Sequence, residues 1–379
     1  MPEYDLLISS GRLFCAATGL DGPGGVAVLG GRIVASGPEV PGEACETLEF
    51  PDGLVLPGLV DLHAHPGLQD SKYGIDPDTH LLPRGTTTVM SQGDAGALNW
   101  GRYHEDVVQG SDTRVLMALN LAASGETGSS GCFEDLDNAD VEACIRAVES
   151  QGNGIWGISL NTSLISCGET DPDAVWDRGL VVADRTGLPF LFGTRREPDR
   201  SLDAQLAALR PGDVVTYCFH GRPEGIIEDG YVRDCVWAAR ERGVLFDVGH
   251  GIASFSFDVA EAAIADGFYP DTISSDFYRR HLGVAPVHDL PRTLSKLIAV
   301  GMPEEKAFAR STARPAEILR LQDDTGSLAA GSCADLAVLG WRPDAAPLCD
   351  SLGVERPGGC WEPVMSVRAG SVLKPEIPT

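Results

Sequence analysis

Two histidines follow the first apolar, strand-like run in the middle of this 379-residue chain. His63 and His65 come after residues 59–62, and the alternation of side chains along a strand puts both imidazoles on one face. Two imidazoles spaced about 6–7 Å along a strand are able to chelate one divalent ion. We therefore predict that both are metal ligands, with a purely structural role as the alternative.

A carboxylate and a third histidine follow two later strand-like runs. Asp276 comes after residues 272–275, where it would complete a three-ligand site or take a proton from bound water as a general base. Capping of the following helix is its alternative role. His250 comes after residues 244–248, and its glycine neighbours would allow close approach of a substrate. His250 is predicted to be catalytic, as a ligand, general acid or substrate contact; a buried structural histidine is the alternative.

Strands that end at one place must bring these side chains together. Eight strand-like runs alternate with helical stretches such as 140–149 and 233–242, a pattern typical of parallel α/β folds. The runs are 59–62, 86–90, 114–119, 155–160, 189–192, 213–218, 244–248 and 272–275. Eight strands over roughly 220 residues predict a (β/α)8 TIM-type barrel, with chemistry at the carboxyl ends of its strands. Strands one and eight are neighbours in such a barrel, so Asp276 would face His63 and His65.

Short strands separated by glycine turns mark both ends of the sequence. They lie within residues 5–35 and 334–370, which predicts one small β-domain built from the two termini. The predicted division is 1–54 for the first part of that domain, 55–322 for the barrel and 323–379 for the second part.

Composition excludes several classes of partner. The net charge is −26, with 29 basic and 55 acidic residues, which disfavours nucleic acid and favours solubility. We find neither an apolar run of about 18 residues nor a signal sequence, and the ten cysteines form no CxxC pair. These features predict a cytoplasmic protein with reduced thiols, no membrane contact and a small-molecule substrate. They leave a homo-oligomer open.

The sequence LPGLVDLHAH at 56–65 resembles the metal-binding strand of the amidohydrolase superfamily. Matching stretches at 83–89, 246–258, 289–296 and 326–336 are similar to the dihydroorotase-like amidohydrolase/deacetylase group, so the resemblance runs nearly end to end. It implies a (β/α)8 barrel, a divalent metal, and hydrolysis of an amide, cyclic amide or ester bond.

Three expected metal ligands are missing from this resemblance. In that family the fourth strand carries a lysine, carboxylated to bridge two metals, and the fifth and sixth strands end in ligand histidines. The corresponding residues here are Ser159, Phe192 and Tyr217. They cannot assemble the usual binuclear centre. The expected centre is one divalent ion, zinc, bound by His63, His65 and Asp276. A metal-free pocket is the alternative.

Four other residues are candidates for the site. Asp94, after the second strand-like run, is predicted to be a further metal ligand, or else a turn residue in a glycine-rich loop. Tyr217, His220 and Arg279 are predicted substrate contacts. His220 is alternatively a stand-in ligand or a loop residue outside the pocket. Arg279, or its neighbour Arg280, would fork a substrate carboxylate, or lie solvated in a loop.

The leading hypothesis is a metal-dependent hydrolase of an amide, cyclic amide or ester bond in a small molecule. The ion would lower the pKa of a bound water, Asp276 would accept its proton, and His250, Tyr217 or the ion would polarise the carbonyl. Two alternatives stay open because fold does not fix function. One is a lyase, isomerase or cyclase on the same barrel, and the other is a catalytically silent binding protein.

Overall fold

The computed structural model describes residues 2–68, 71–151 and 154–374. The chain is a mixed α/β fold with two seven-stranded sheets, one of them entirely parallel. Residues 1, 69–70, 152–153 and 375–379, which the predicted division of the chain includes, lie outside the described residues.

The strands of the described residues alternate with helices through the middle of the chain and cluster at its ends. In chain order they are β1 (Tyr4–Cys15), β2 (Leu20–Leu29), β3 (Arg32–Gly37), β4 (Ala44–Pro57), β5 (Leu59–Ala64), β6 (Thr86–Gly96), β7 (Arg114–Asn120), β8 (Ile155–Asn161), β9 (Phe190–Gly193), β10 (Val214–Thr216), β11 (Ile227–Glu228), β12 (Tyr231–Val232), β13 (Leu245–Phe246), β14 (Leu336–Arg342), β15 (Leu348–Cys349), β16 (Glu355–Arg356), β17 (Cys360–Arg368) and β18 (Ser371–Leu373).

The α-helices of the described residues are mostly short. They are α1 (Pro77–His80), α2 (Trp100–Tyr103), α3 (Val141–Gln151), α4 (Leu164–Cys167), α5 (Pro172–Thr186), α6 (Leu202–Ala207), α7 (Asp234–Glu241), α8 (Phe257–Ala265), α9 (Leu290–Ala299), α10 (Glu304–Ala309) and α11 (Ala313–Ile318). Short 3-10 helices lie at Leu82–Arg84, Leu136–Asn138 and Arg279–His281, and one π-helical turn lies at His104–Val108. No helix in the described ranges is long and apolar enough to cross a membrane.

One sheet joins strands from both ends of the described chain, in the order β18-β17-β14-β4-β1-β2-β3. β1 and β4 run parallel, whereas the other neighbouring pairs are antiparallel. Its apolar side chains form a cluster of their own, which includes Ile8, Val26, Val55, Leu336, Val338 and Val367. The strands predicted at the two termini therefore do pair with each other.

The parallel sheet has the order β13-β10-β9-β8-β7-β6-β5, so each strand lies beside the next one of this sheet along the chain. Seven of the eight predicted runs correspond to these strands. Apolar residues of six of these strands pack with α11 in one cluster, which includes Val60, Met90, Ala118, Trp156, Leu191, Val214 and Ala316. Burial on both faces explains why these strands are short apolar runs without alternation.

The eighth predicted strand, 272–275, is not a regular strand, which corrects the prediction for that run. It makes single parallel bridges, Asp247 to Thr272 on one side and Ala64 to Phe277 on the other. Ile273 donates its backbone N–H to Arg310, outside the sheet. Asp276 then takes a positive φ of 46°, which ends any extended run. The segment nevertheless lies between β13 and β5, as the site requires.

Candidate metal and active site

Three side chains converge where β5 and the segment 272–277 end. His63, His65 and Asp276 each offer a ligand atom, and these atoms all lie within 4.8 Å of one another. The Nε2 atoms of both imidazoles are 3.4 Å from Oδ1 of Asp276. The structure thus brings together the three ligands expected from the sequence.

The hydrogen-bond partners of His63 determine which ring nitrogen is free. Its Nδ1 lies 2.7 Å from Oγ1 of Thr216, and that hydroxyl donates to Asp247 at 2.8 Å. Because the threonine proton is already used, His63 Nδ1 must be the donor in the first contact. In the neutral imidazole Nε2 therefore carries the lone pair, and it faces Asp276. Asp247 also accepts hydroxyl hydrogen bonds from Thr272 and Ser274, so this support is itself held in place.

His65 is oriented in the same way by Asp94. Its Nδ1 lies 3.1 Å from Oδ1 of Asp94, and Ser91 donates to the other carboxylate oxygen at 2.5 Å. Asp94 thus contacts His65 Nδ1, the ring nitrogen that faces away from Asp276. Among the described residues it is not a member of the group of three possible metal ligands. The geometry differs from the direct ligand role predicted for Asp94, and gives it the carboxylate–histidine arrangement that commonly supports metal ligands.

These residues fit one divalent ion. Oδ1 of Asp276 is buried and has no hydrogen-bond partner among the described residues, although a carboxylate oxygen in the interior needs one. The two Nε2 lone pairs point to the same atom. Two imidazoles and one carboxylate leave a coordination position open, which is the composition of catalytic zinc sites.

Charge at this site favours a cation in front of Asp276. Burial lowers the pKa of His65, but the carboxylates of Asp94 and Asp276 outweigh it and raise that pKa to about 10. The same opposition raises the pKa of His63. Burial alone would raise the pKa of Asp276, yet the two imidazoles lower it. A divalent ion would supply the favoured positive charge and displace the imidazole protons on binding.

Two residues at the site have strained backbones. Tyr217 has φ of 66° and Asp276 has φ of 46°, and non-glycine residues rarely adopt such values. Gly251, with φ of 49°, lies so close to Asp276 that an added Cβ would overlap Oδ2 of the carboxylate. The glycine flanking His250 therefore makes room for Asp276, whereas the sequence suggested room for substrate.

The opposite strand ends carry no ligand group. Ser159, in β8, accepts a hydrogen bond from Gln92 at 3.3 Å. Tyr217, after β10, places its hydroxyl 3.4 Å from Nε2 of His63. Phe192 does not face the site at all: its ring packs edge-on against Trp176 of α5, with centroids 5.1 Å apart. The expectation that Phe192 occupies a ligand position is corrected on this point.

His250 turns towards a residue that the sequence did not single out. Its Nδ1 donates to the carbonyl of Gly251 at 2.7 Å, and its Nε2 lies 2.8 Å from Nζ of Lys296, in α9. Burial and the Lys296 cation hold the pKa of His250 well below its usual value. Burial, followed by Arg292, lowers the pKa of Lys296 to about 8. His250 is absent from the described wall of the cavity below, so its catalytic role stays a prediction.

His220 and Arg279 also point elsewhere. Nδ1 of His220 accepts the backbone N–H of Arg222 at 3.1 Å, and burial together with two arginines lowers the pKa of His220 to about 3. Arg279 donates to the carbonyls of Gly74 and Leu68, which fixes a loop. The structure does not place either side chain in the described cavity wall, so their substrate contacts stay predictions; Arg280 does line it.

A cavity of about 270 Å³ opens onto two of the three candidate ligands, His65 and Asp276. Its wall includes His65 and Asp276, the predicted Tyr217, and several residues that the sequence did not reveal as site residues, among them Tyr73, Gln92, Asn161, Arg196 and Ser254. Most of these lie in loops, where neither periodicity nor spacing indicates which side chain turns inwards.

Comparison with known proteins agrees with this geometry, although no family model matches the chain. A deacetylase of Enterococcus faecalis is 30% identical over 357 residues, covering 93% of this chain and 94% of the relative. A deacetylase of Agrobacterium fabrum is 33% identical over 312 residues, covering 81% and 76%. The chain belongs to the amidohydrolase superfamily, in its dihydroorotase-like amidohydrolase/deacetylase group.

Solved structures of this superfamily have the same fold. A crystal structure of an adenine deaminase superposes with a TM-score of 0.88 at 28% identity, and the match covers 98% of this chain and 100% of the deaminase chain. A dihydroorotase gives a TM-score of 0.87 at 29% identity, covering 97% of each chain. The amidohydrolase relatives are named for reactions at C–N bonds, so the chain is a member of a family of hydrolases acting on such bonds.

Proposed function

We propose that this amidohydrolase is a metal-dependent hydrolase of an amide, cyclic amide or ester bond in a small molecule. One divalent ion, zinc, would be held by His63, His65 and Asp276. The observation that carries this proposal is Oδ1 of Asp276, which is buried without a hydrogen-bond partner and lies 3.4 Å from both Nε2 atoms. Imidazole and carboxylate ligands with an open position suit zinc in a catalytic site.

Each residue of the site has a separate task in this reaction. When bound, the ion supplies Lewis acidity and lowers the pKa of water. Asp276 accepts the proton of the attacking water and returns it to the leaving nitrogen or oxygen. Thr216 and Asp94 hold the two imidazoles so that their Nε2 lone pairs face inwards. Tyr217, whose pKa is raised by burial, keeps its proton at neutral pH and donates a hydrogen bond to the substrate carbonyl oxygen.

The architecture around this site is also proposed in finer detail. The parallel sheet closes into a (β/α)8 barrel with the segment 272–277 as its eighth member, supported by the bridges to β13 and β5. The barrel would extend over residues 55–322. The sheet built from the two ends would be a small β-domain of residues 1–54 and 323–379, supported by its separate apolar cluster.

Metal content and product mass test the function. Purified protein reconstituted with zinc and freed of excess should contain one zinc per chain by elemental analysis. A panel of N-acyl and O-acyl compounds should give two products whose masses sum to substrate plus one water. Asp276→Asn should lose turnover even at saturating zinc, because a carboxamide cannot accept the proton.

Three results would contradict the proposal. Two tightly held ions per chain would exclude a mononuclear site. Products equal in mass to the substrate would indicate an isomerase, and wild-type turnover in zinc-saturated Asp276→Asn would remove the base.

A further inference from the structure

Lys296, in α9, is a buried lysine without a carboxylate partner. Its exposed fraction is 5%. Within the described part of the chain its Nζ makes one hydrogen bond, to Nε2 of His250 at 2.8 Å, and no ion pair. Burial of an ammonium group in this way is costly, and an apolar side chain of similar length would avoid the cost. The contact with His250 is therefore the feature of this lysine that needs a reason.

The lysine determines the tautomer of His250. A protonated amine only donates hydrogen bonds, so Nε2 of His250 must accept from Lys296 with its lone pair. The proton of the neutral ring then lies on Nδ1, which donates to the carbonyl oxygen of Gly251 at 2.7 Å. Burial and the Lys296 cation hold the pKa of His250 low, so the ring stays neutral. Both ring nitrogens are engaged, and His250 acts through its neighbours.

Aromatic neighbours hold the ring of His250 from its sides. The ring stacks on Phe255 with centroids 4.6 Å apart, and His288 lies beside it with centroids 4.8 Å apart. His288 in turn donates from Nε2 to the backbone carbonyl of Ser275 at 2.8 Å. These contacts fix the plane of the His250 ring, and the bond from Lys296 fixes which nitrogen carries the proton.

His250 holds the backbone that packs against Asp276. The N–H groups of His250 and Gly251 donate to the carbonyls of Ser274 and Ser275 at 3.2 and 3.0 Å. A Cβ added to Gly251 would lie 2.2 Å from Oδ2 of Asp276, so this glycine forms the wall on which the carboxylate rests. The strained backbone of Asp276, with φ of 46°, depends on such support from its surroundings.

The helix that carries Lys296 is anchored to the last strands of the chain that the structure describes. Oγ of Ser295 accepts the backbone N–H of Trp361, in β17, at 2.8 Å. Arg292 donates to the two backbone carbonyls of residues 346–347 at 2.9 and 3.0 Å. The amine therefore extends from a fixed base, and direct contacts lead from β17 through α9 to the metal site.

We propose that Lys296 is a positioning residue for Asp276. Acting through His250 and Gly251, it sets the orientation of the carboxylate that binds the metal and accepts the proton. This rests on the roles proposed above for Asp276. Without the amine, Nε2 of His250 would be a buried acceptor with no partner, and the ring would gain access to its other tautomer. In that tautomer the lone pair of Nδ1 faces the carbonyl oxygen of Gly251 and repels it.

NMR of the histidine side-chain nitrogens tests the first part of this proposal without any substrate. In zinc-loaded protein with isotopically labelled histidine, the signals of His250 are identified by their absence in His250→Gln. Wild type should show a protonated Nδ1 and an unprotonated Nε2. Lys296→Met should show both tautomers, whereas Lys296→Arg, which still donates, should keep the wild-type one. A proton on Nε2 in wild type, or an unchanged spectrum in Lys296→Met, would overturn the proposal.

Zinc affinity and kinetics test the second part. Lys296→Met should weaken zinc binding about 10-fold, measured by competition with a chelator. In saturating zinc, with the best substrate of the acyl panel above, it should lower kcat about 10-fold and change KM less than about 2-fold. Lys296→Arg should recover most of both losses. The matched control is Thr293→Val, which removes another buried hydrogen bond of α9, from its hydroxyl to the carbonyl of Asp289. It should lower the melting temperature and leave zinc affinity and kcat unchanged.

The control separates positioning from a merely structural role. Equal zinc affinity and kcat in Lys296→Met and Thr293→Val would make Lys296 a structural residue and overturn the proposal. Lys296→Gln, a shorter polar side chain, takes the place of Lys296→Met if the latter does not fold. If wild type hydrolyses no compound, the hydrolase function fails, yet a changed His250 tautomer together with weaker zinc binding still supports the positioning role.

Discussion

The strand ends of the parallel sheet, taken with the segment 272–277, fall into two halves that differ in their chemistry. On one half, β5 and the segment 272–277 carry two imidazoles and a carboxylate, and each imidazole is held by a hydrogen-bonding side chain behind it. On the other half, β8, β9 and β10 lead to Ser159, an outward-facing Phe192 and Tyr217. The first half is suited to hold a cation, whereas the second presents the hydroxyl groups of Ser159 and Tyr217. Because only the first half carries imidazole and carboxylate groups, this contrast favours a site for one metal ion over a site for two.

Removing the imidazoles from the ligand half should have the largest effect. We expect His63→Ala with His65→Ala to lose bound zinc and to lower turnover more than about 1000-fold, because no ligand pair remains. The melting temperature should change little, since strand-end ligands serve chemistry more than packing. Elemental analysis and kinetics measure this, with His80→Ala at the end of α1 as the control. Wild-type turnover in the double variant would refute the metal mechanism.

On the opposite half, Tyr217→Phe tests whether the hydroxyl acts on the transition state. Loss of one donor to a developing oxyanion should lower kcat about 100-fold while KM changes less than about 2-fold. Zinc content should stay at one per chain. A change confined to KM would show that Tyr217 only binds substrate.

Behind the ligand half, Asp94→Asn tests the support of His65. The asparagine is able to present its nitrogen to the imidazole and so select the wrong tautomer, and zinc affinity should fall about 10–100-fold. Competition with a chelator of known affinity measures it, and activity should return in excess zinc. Activity that stays low in saturating zinc would mean that Asp94 acts directly in the reaction.

A pH series tests His220, on the non-ligand half. Its pKa of about 3 in the fold lies below that of an unfolded histidine, about 6.5. Below pH 6.5 the unfolded chain therefore binds the additional proton, and the free energy of unfolding falls with pH down to about 3. His220→Asn should make this fall shallower, by up to about 1.4 kcal/mol per pH unit. Urea titrations between pH 7 and 4 measure it. An unchanged slope, equal to that of the more exposed control His80→Asn, would be inconsistent with a buried neutral His220.

Restoring a lysine should have the smallest effect. Ser159→Lys should leave zinc at one per chain in excess zinc and bicarbonate, because a bridging group needs further ligands for a second ion. The sequence suggests adding Phe192→His and Tyr217→His, but Phe192 contacts Trp176, so its replacement cannot reach the site. Stoichiometry of the single and triple variants checks this, and two ions in either would remove the contrast between the halves.

Strand-end chemistry was predictable where the spacing was strict. The HxH pair after a buried strand, and Asp276 after the last strand-like run, were sufficient to predict that these three candidate ligands lie together. Strand 272–275 was predicted as regular, yet the left-handed Asp276 and the bond from Ile273 to Arg310 depend on the assembled site. Backbone strain at a functional residue leaves no trace in periodicity.

Other features depended on contacts distant in sequence. β9 has four residues, all buried, so no alternation indicated that Phe192 faces the helices. Lys296 lies 46 positions beyond His250, in a helix that is buried almost throughout, and no local pattern pairs them. Arg196 is one of two consecutive arginines in the sequence, and only the contacts of its guanidinium with Tyr217 and Ser254 distinguish it.

The close contact between Gly251 and Asp276 also limits how this protein can evolve. Any side chain at position 251 would displace the carboxylate, and the φ of 49° penalises most residues even without that collision. We therefore expect most substitutions of Gly251 to inactivate the protein, so libraries aimed at new substrates gain little from varying this position. Variation is better tolerated at the rim of the cavity, where Ile165 in α4 and Ile252 in a loop are exposed and a new side chain would contact solvent.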